Sequence, residues 1–147
     1  MSRLSRLLLG RFDYDGIKAV RRRNFKLLRE RLRPRLPLLL EELEPGVCPL
    51  FFPLLVRDKA RAALGFAARG IETVTFWNEG DAEAERLPFE EVRFLRKHLL
   101  ELPIHQDVTP LQLDAIAEQA LRTEPMEKPR REWQRSRRSR LPSASTA

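Results

Sequence analysis

The sequence predicts an α+β fold, in which helices pack on one face of a small antiparallel or mixed sheet of two to four strands. Two observations predict this class. Helical periodicity covers most of the chain, and only a few short segments have the pattern of strands. The chain has 147 residues, of which 42% are hydrophobic, and this is enough for one ordinary domain. We expect a long basic helix before this domain and a disordered tail after it.

Charge divides the chain into three parts. Residues 1–36 contain 12 Lys and Arg against 3 Asp and Glu, whereas residues 37–122 contain 9 against 15. Residues 123–147 contain 7 against 3 and are rich in Pro, Arg and Ser. The candidate core is therefore acidic, although the whole chain has a net charge of +7. We expect a basic N-terminal segment over 1–12, one domain over 13–122 and a disordered basic tail over 123–147.

The first helix is predicted from Tyr14 to Leu32. Pro34 ends it, and its apolar residues recur at helical spacing: Ile17, Val20, Phe25, Leu27 and Leu28. A loop is predicted next, with a short extended piece over Leu38–Leu40. The continuous apolar run from Val47 to Val56 predicts a strand, and its two prolines favour an edge position or a bulge.

The second helix is predicted from Asp58 to Arg69, and Gly70 occupies the position of a C-cap glycine. Its expected apolar face consists of Ala60, Ala63, Leu64 and Ala67. Alternating β-branched residues then predict a strand over Ile71–Trp77. The polar, acidic stretch that follows predicts an exposed loop.

Two more helices are predicted in the last part of the domain. The first covers Phe89–Leu100, with Val92, Leu95 and Leu99 on one face. After a short extended piece over Leu102–His105, Thr109 is the expected N-cap and Pro110 the first helical residue of the second. The expected core face of this helix is Leu111, Leu113, Ile116, Ala117 and Ala120.

Composition restricts the cellular compartment and the kinds of binding site that we expect for this chain. The single cysteine, Cys48, cannot form an intramolecular disulfide, so we expect a reduced, cytoplasmic setting and a buried apolar role for this thiol. No apolar stretch approaches the roughly 20 residues of a membrane span, so no membrane association is expected. The two histidines and one cysteine have no metal-ligand spacing, and the six glycines form no phosphate loop.

Four segments, taken in order, resemble the C-terminal small domain of the DegT/DnrJ/StrS-type aminotransferases. They are Arg22-Arg23-Asn24-Phe25, Phe51-Phe52-Pro53-Leu54-Leu55-Val56, Arg69-Gly70-Ile71-Glu72 and Leu102-Pro103-Ile104-His105 with the Thr109-Pro110 helix start. The resemblance covers about residues 12–122. Each motif alone is weakly specific, and the ordered set is moderately specific.

This resemblance implies a fold-type I, pyridoxal-phosphate-dependent enzyme acting on nucleotide-linked keto sugars. It implies substrate contacts from His105, Gln106 and Trp77, with His105 as the first candidate. It also implies partners: the large domain of the intact enzyme or its homodimer partner, and a nucleotide-sugar substrate.

The same resemblance places the cofactor lysine in the large domain. The five lysines of this chain lie on predicted helices or in the tail, and none has the context of the family's Schiff-base lysine. We therefore expect no catalytic residue here, no pyridoxal phosphate bound by this chain alone, and no activity of this chain alone.

Each candidate residue also has a structural interpretation. His105 is then a histidine that ends a buried strand, and Trp77 is a core residue. Arg21–Arg23 is then a solvated helix face, and His98 is structural or exposed.

Two other function classes stay open at this point. The arginine-rich helix and tail are compatible with a nucleic-acid-binding or ribosome-associated module, although the acidic core makes nucleic acid a less favoured partner. The same basic flanks are compatible with an interaction protein that docks onto an acidic partner.

Overall fold

A computed structural model describes residues 9–75, 89–124 and 126. In these residues four helices and two strands follow one another. They are α1 (Tyr14–Leu32), β1 (Phe51–Leu55), α2 (Lys59–Ala67), α3 (Glu90–His98), β2 (Leu99–Pro103) and α4 (Pro110–Ala120). The predicted α+β class is confirmed. The predicted disordered tail lies, apart from residues 123, 124 and 126, outside the described residues.

The two strands form an antiparallel sheet. Phe51 lies opposite Pro103 and Leu55 lies opposite Leu99. On the other edge of β2, Val74 forms an isolated antiparallel bridge with Glu101. The predicted strand over Ile71–Trp77 is reduced to this bridge among its described residues, 71–75.

One face of the sheet carries the core. Alternate strand residues point into it, because successive side chains of a strand lie on opposite faces. They pack with residues of α1, α2 and α4 in a single cluster, which includes Phe52, Leu54, Leu100, Leu102, Phe25, Leu28, Phe66, Leu113 and Ile116. The predicted packing of helices on one sheet face is therefore present.

Helix α1 has the predicted bounds. The Asp13 side chain caps its start by accepting the Gly16 N–H at 2.9 Å, and the helix ends just before Pro34. Its core contacts come from its second half, where the ring centroids of Phe25 and Phe52 are 4.9 Å apart. Its first half has no buried residue, and Tyr14 near its start is exposed.

The predicted apolar face of α2 is wrong. The helix buries Lys59, Ala62 and Phe66, whereas Leu64 is 71% exposed. Small apolar residues occur on all sides of this helix, so periodicity alone does not show which side is buried. The side that carries the large Phe66 ring is the buried one. A Cβ at Gly65 would lie 2.7 Å from Gln119 Nε2 of α4, so the two helices are in contact here. Gly70, with φ of 70°, ends the segment as predicted.

The third helix ends earlier than predicted. Leu99 and Leu100 belong to β2, because they pair with Leu55 and Leu54 of β1. Strand pairing with a distant segment has thus replaced the last turn of the predicted helix. Val92, which was expected to be a core residue, is 38% exposed.

The start of α4 is as predicted. Thr109 is the N-cap, Pro110 lies in the first turn, and Thr109 forms a reciprocal capping box with Gln112. Leu111, which was expected in the core, is 78% exposed, because it lies on the face opposite Leu113.

One further expectation is corrected by the loop that joins α1 to β1. Cys48 is exposed rather than buried, and the neighbouring Pro49 is buried in its place. Leu38–Leu40 lies in a loop, as predicted, and Leu38 is buried. In the described part of the chain, no helix is long and apolar enough to cross a membrane.

The face of α2 can be tested with a matched pair of variants. Phe66→Ala is expected to lower the free energy of unfolding by about 3–5 kcal/mol, since it empties a fully buried site. Leu64→Ala on the exposed face is expected to change it by less than about 0.5 kcal/mol. Urea unfolding of both variants measures the difference, and equal losses would show that the face is wrongly assigned.

Candidate functional site

The candidate site is the turn between β2 and α4. Ile104 is fully buried, and the next three residues, His105, Gln106 and Asp107, are exposed. The turn closes when the Val108 N–H donates to the His105 carbonyl at 3.1 Å. Buried residues on both sides therefore fix a short exposed segment.

Asn24 holds this turn against α1. Its side chain is fully buried, and its Nδ2 donates to the carbonyls of Ile104 at 3.3 Å and His105 at 3.1 Å. Two segments that are 80 residues apart in sequence thus meet through one amide. The sequence gives Asn24 only as a member of a motif, and this bridging role needed the structure.

A chain of polar contacts orders the exposed side chains. Arg21 donates through Nε and Nη2 to Gln106 Oε1, both at 3.3 Å. Gln106 Nε2 donates to Asp107 Oδ2 at 3.1 Å, and His105 Nδ1 lies 3.4 Å from the same oxygen. Nδ1 of the imidazole therefore faces Asp107, and Nε2 has no contact with Asp107.

The expected solvated face at Arg21–Arg23 is wrong for two of its three members. Arg21 contacts Gln106, as described above, and Arg22 Nη1 donates to the carbonyls of Glu44 at 3.0 Å and Val47 at 2.6 Å. Arg22 therefore fixes the loop before β1. Arg23 is exposed.

A groove of about 470 Å³ lies beside the turn. His105 lines it together with Gln112, and its apolar wall includes Ile71, Val74 and Ile116. A few polar groups over an apolar wall are typical of small-molecule sites, which have volumes of roughly 300–1,000 Å³.

The three predicted substrate residues have different placements. His105 lines the groove, and Gln106 is adjacent to it in the turn but is held by Arg21. Trp77 lies outside the described residues. His98, predicted to be structural or exposed, has Nδ1 3.0 Å from the Val56 carbonyl oxygen and so has a structural contact.

The other face of the sheet carries a buried carboxyl group. Glu101, at the centre of β2, is fully buried, and neither carboxylate oxygen has a hydrogen-bond partner among the described residues. Burial raises the pKa of the Glu101 carboxyl, and the Lys59 ammonium opposes this rise. No pattern in the sequence distinguished this glutamate from exposed ones.

The described residues do not fit pyridoxal phosphate. The cofactor needs a lysine, an acid for its pyridine nitrogen and a site for its phosphate. Lys59 is the described lysine that is buried, and it donates to the Arg96 carbonyl at 3.4 Å. The adjacent carboxylate of Asp58 caps α2 by accepting the Arg61 N–H at 2.9 Å, and none of the residues that line the surface around Lys59 is aromatic. Within residues 9–75 and 89–124, no group of three His, Cys, Asp or Glu residues forms a candidate metal site.

The fold is that of a small α+β domain whose sheet is covered by helices on one face. A crystal structure of a DegT DnrJ EryC1 StrS aminotransferase from Brucella abortus is similar to it, with a TM-score of 0.59 and 17% sequence identity. The match covers 71% of this chain and 30% of that chain, so this chain spans about a third of the length of its structural neighbour. At this identity the likeness shows the fold alone. No family model and no curated protein matches the sequence.

The buried carboxyl group predicts a specific pH dependence. The pKa of Glu101 is higher in the folded than in the unfolded chain, where it is near 4.5. The folded chain therefore holds the proton more tightly, and its stability falls as pH rises from about 4.5 through the folded pKa. Glu101→Gln is expected to remove this fall and to be more stable at pH 8 by about 1.4 kcal/mol for each unit of pKa elevation.

Urea unfolding of the parent chain and of Glu101→Gln between pH 4 and pH 8 measures the pH dependence of their stability. Glu30→Gln, a change on the exposed face of α1, is the control and should keep the pH dependence of the parent chain. A Glu101→Gln variant that is less stable than the parent at pH 8 would contradict the account.

Proposed function

We propose that this chain supplies the small, substrate-covering domain of a DegT-type, pyridoxal-phosphate-dependent aminotransferase that acts on nucleotide-linked sugars. One observation carries the proposal: the fold is similar to that of such an aminotransferase over 71% of this chain. The contact of Asn24 with His105 supports it, because it joins two of the motifs on which the family resemblance rests.

His105 is the proposed sugar contact. It lies in the wall of the groove, and its backbone carbonyl is held by Asn24 and by the Val108 N–H, so less entropy is lost when it binds a ligand. Gln106, held by Arg21, is proposed to line the mouth of the same cleft. Trp77 is proposed as the third contact on the strength of the family resemblance.

The amino-transfer chemistry is proposed to take place on a large domain that is not among the described residues. Bound pyridoxal phosphate supplies the electron sink for that chemistry. This chain's own residues bind the sugar and exclude water from one side of the cleft. The uncovered apolar residues before and at the start of α1, namely Leu9, Phe12 and Tyr14, are the proposed contact with the large domain or the second subunit.

The alternative of a nucleic-acid-binding module has less support. It would use the basic helix α1, but the guanidinium groups of Arg21 and Arg22 are engaged by Gln106 and by backbone carbonyls. Fewer free cations on this helix mean a weaker phosphate-binding surface.

The proposal can be tested by titrating ¹⁵N-labelled protein with UDP-glucose. We expect weak, saturable shifts of the amides of the groove, centred on His105 and Gln112. His105→Ala should weaken binding about threefold to tenfold, the effect of one lost hydrogen bond. Lys26→Ala, on the exposed face of α1, is the control of unchanged affinity. Unchanged affinity of the His105→Ala variant, with its fold intact, would contradict the site assignment.

A further inference from the structure

A second cavity lies between the start of α2 and the end of α3, outside the groove described above. Its volume is about 450 Å³. Four cationic side chains line it, Arg57, Lys59, Arg96 and Lys97, against the single carboxylate of Asp58. Residues 37–122, which include all of these side chains, contain 9 Lys and Arg against 15 Asp and Glu, so this concentration of positive charge is local.

Lys59 is the unusual member of this cluster. Only 6% of the residue is exposed, and lysine is rarely buried to this degree. The buried Glu101 carboxyl is the acid that interacts with it. Its Nζ donates to the Arg96 carbonyl at 3.4 Å, which is a long hydrogen bond for one of three donors. Lys59 lines the cavity, and this single long contact leaves other N–H groups of its ammonium for an acceptor.

The one carboxylate that lines the cavity is used elsewhere. Asp58 is engaged at the helix start, where it accepts the Arg61 N–H. The nearest buried acid is Glu101, and burial raises the pKa of its carboxyl toward the neutral form. Burial lowers the pKa of Lys59, the Glu101 carboxylate opposes this by raising it, and Arg96 adds a smaller lowering. Repulsion between neighbouring cations would be relieved by an anion in the cavity.

The helix geometry adds donors to the same place. Helix α2 begins at Lys59, so the backbone N–H groups of Lys59 and Ala60 have no acceptor within the helix. The positive end of the helix dipole faces the same region. Arg57 is held at the rim by an ion pair with Glu124 at 3.0 Å.

We propose that this cavity binds one phosphoryl group of a small phosphorylated molecule, with the Lys59 ammonium and the Arg96 guanidinium as its main contacts. A phosphoryl group carries up to two negative charges and three acceptor oxygens, which suits several donors that converge from different directions. The volume exceeds what one phosphoryl group needs and lies in the range of small-molecule sites. A nucleic-acid backbone is less suited, because a buried lysine in a concave site is harder for a polymer to reach than exposed side chains.

The test is a titration of the ¹⁵N-labelled full chain with inorganic pyrophosphate, with sodium chloride adjusted to constant ionic strength. We expect saturable shifts confined to the amides of Lys59, Ala60, Arg61 and Lys97. Lys59→Met should weaken binding at least tenfold, and Lys59→Arg should stay within about threefold of the parent. Lys26→Met, which removes the same charge from the exposed face of α1, should leave the affinity unchanged.

Lys59→Met is expected to fold, because it removes a charge whose burial is costly. If it does not fold, the Arg96→Gln variant is used in its place, and its affinity for pyrophosphate is expected to be at least threefold weaker than that of the parent. Shifts spread evenly over the basic residues of α1 would overturn the proposal, as would unchanged affinity of the Lys59 or Arg96 variant. Tighter binding of a 12-nucleotide single-stranded DNA at the same amides, with a steep salt dependence, would also overturn it and assign a nucleic-acid site.

Discussion

The buried amide of Asn24 is the contact on which the arrangement of the site depends. It donates to two consecutive carbonyls at the end of β2, Ile104 and His105, and so joins α1 to the sheet and to the turn. Without it both carbonyls would lose a partner at or near the protein interior, which costs about 1–3 kcal/mol for a buried polar group. The position of the turn that carries His105 relative to α1 depends on this contact.

The two faces of the sheet serve different physical purposes. One face packs against α1, α2 and α4 in an apolar cluster and accounts for most of the buried hydrophobic side chains. The other face holds Glu101, and Lys59 is the second buried charged residue that interacts with it. Burying these two groups lowers stability, since burial lowers the pKa of Lys59 and raises the pKa of Glu101, and both shifts favour the neutral form. Buried charge that costs stability is more common at functional sites than elsewhere, and this is consistent with a ligand near Lys59.

Local signals in the sequence predicted the elements that depend on local interactions. The bounds of α1 and the capped start of α4 agree with the structure, because an Asp or Thr cap and a proline determine them within a few residues. The face of α2 was not predictable, because apolar residues occur on all of its sides. Leu99 and Leu100 were assigned to a helix, because their pairing with β1 is a contact between distant segments.

The site was only partly predictable for the same reason. His105 was identified from a resemblance, and the structure places it in a groove wall. The bridge from Asn24, the contact of Arg21 with Gln106 and the burial of Glu101 depend on segments far apart in sequence. No periodicity or spacing within one segment could have indicated them.

The most direct test of this account is the Asn24→Ala variant, studied by urea unfolding and by hydrogen exchange of the Val108 amide. That amide donates to the His105 carbonyl and reports on the turn. We expect a loss of stability of about 1–3 kcal/mol and faster exchange of Val108 than global destabilisation explains. Lys26→Ala, on the exposed face of the same helix, should change stability by less than about 0.5 kcal/mol. Unchanged stability and unchanged Val108 exchange in Asn24→Ala would contradict the central role of this contact.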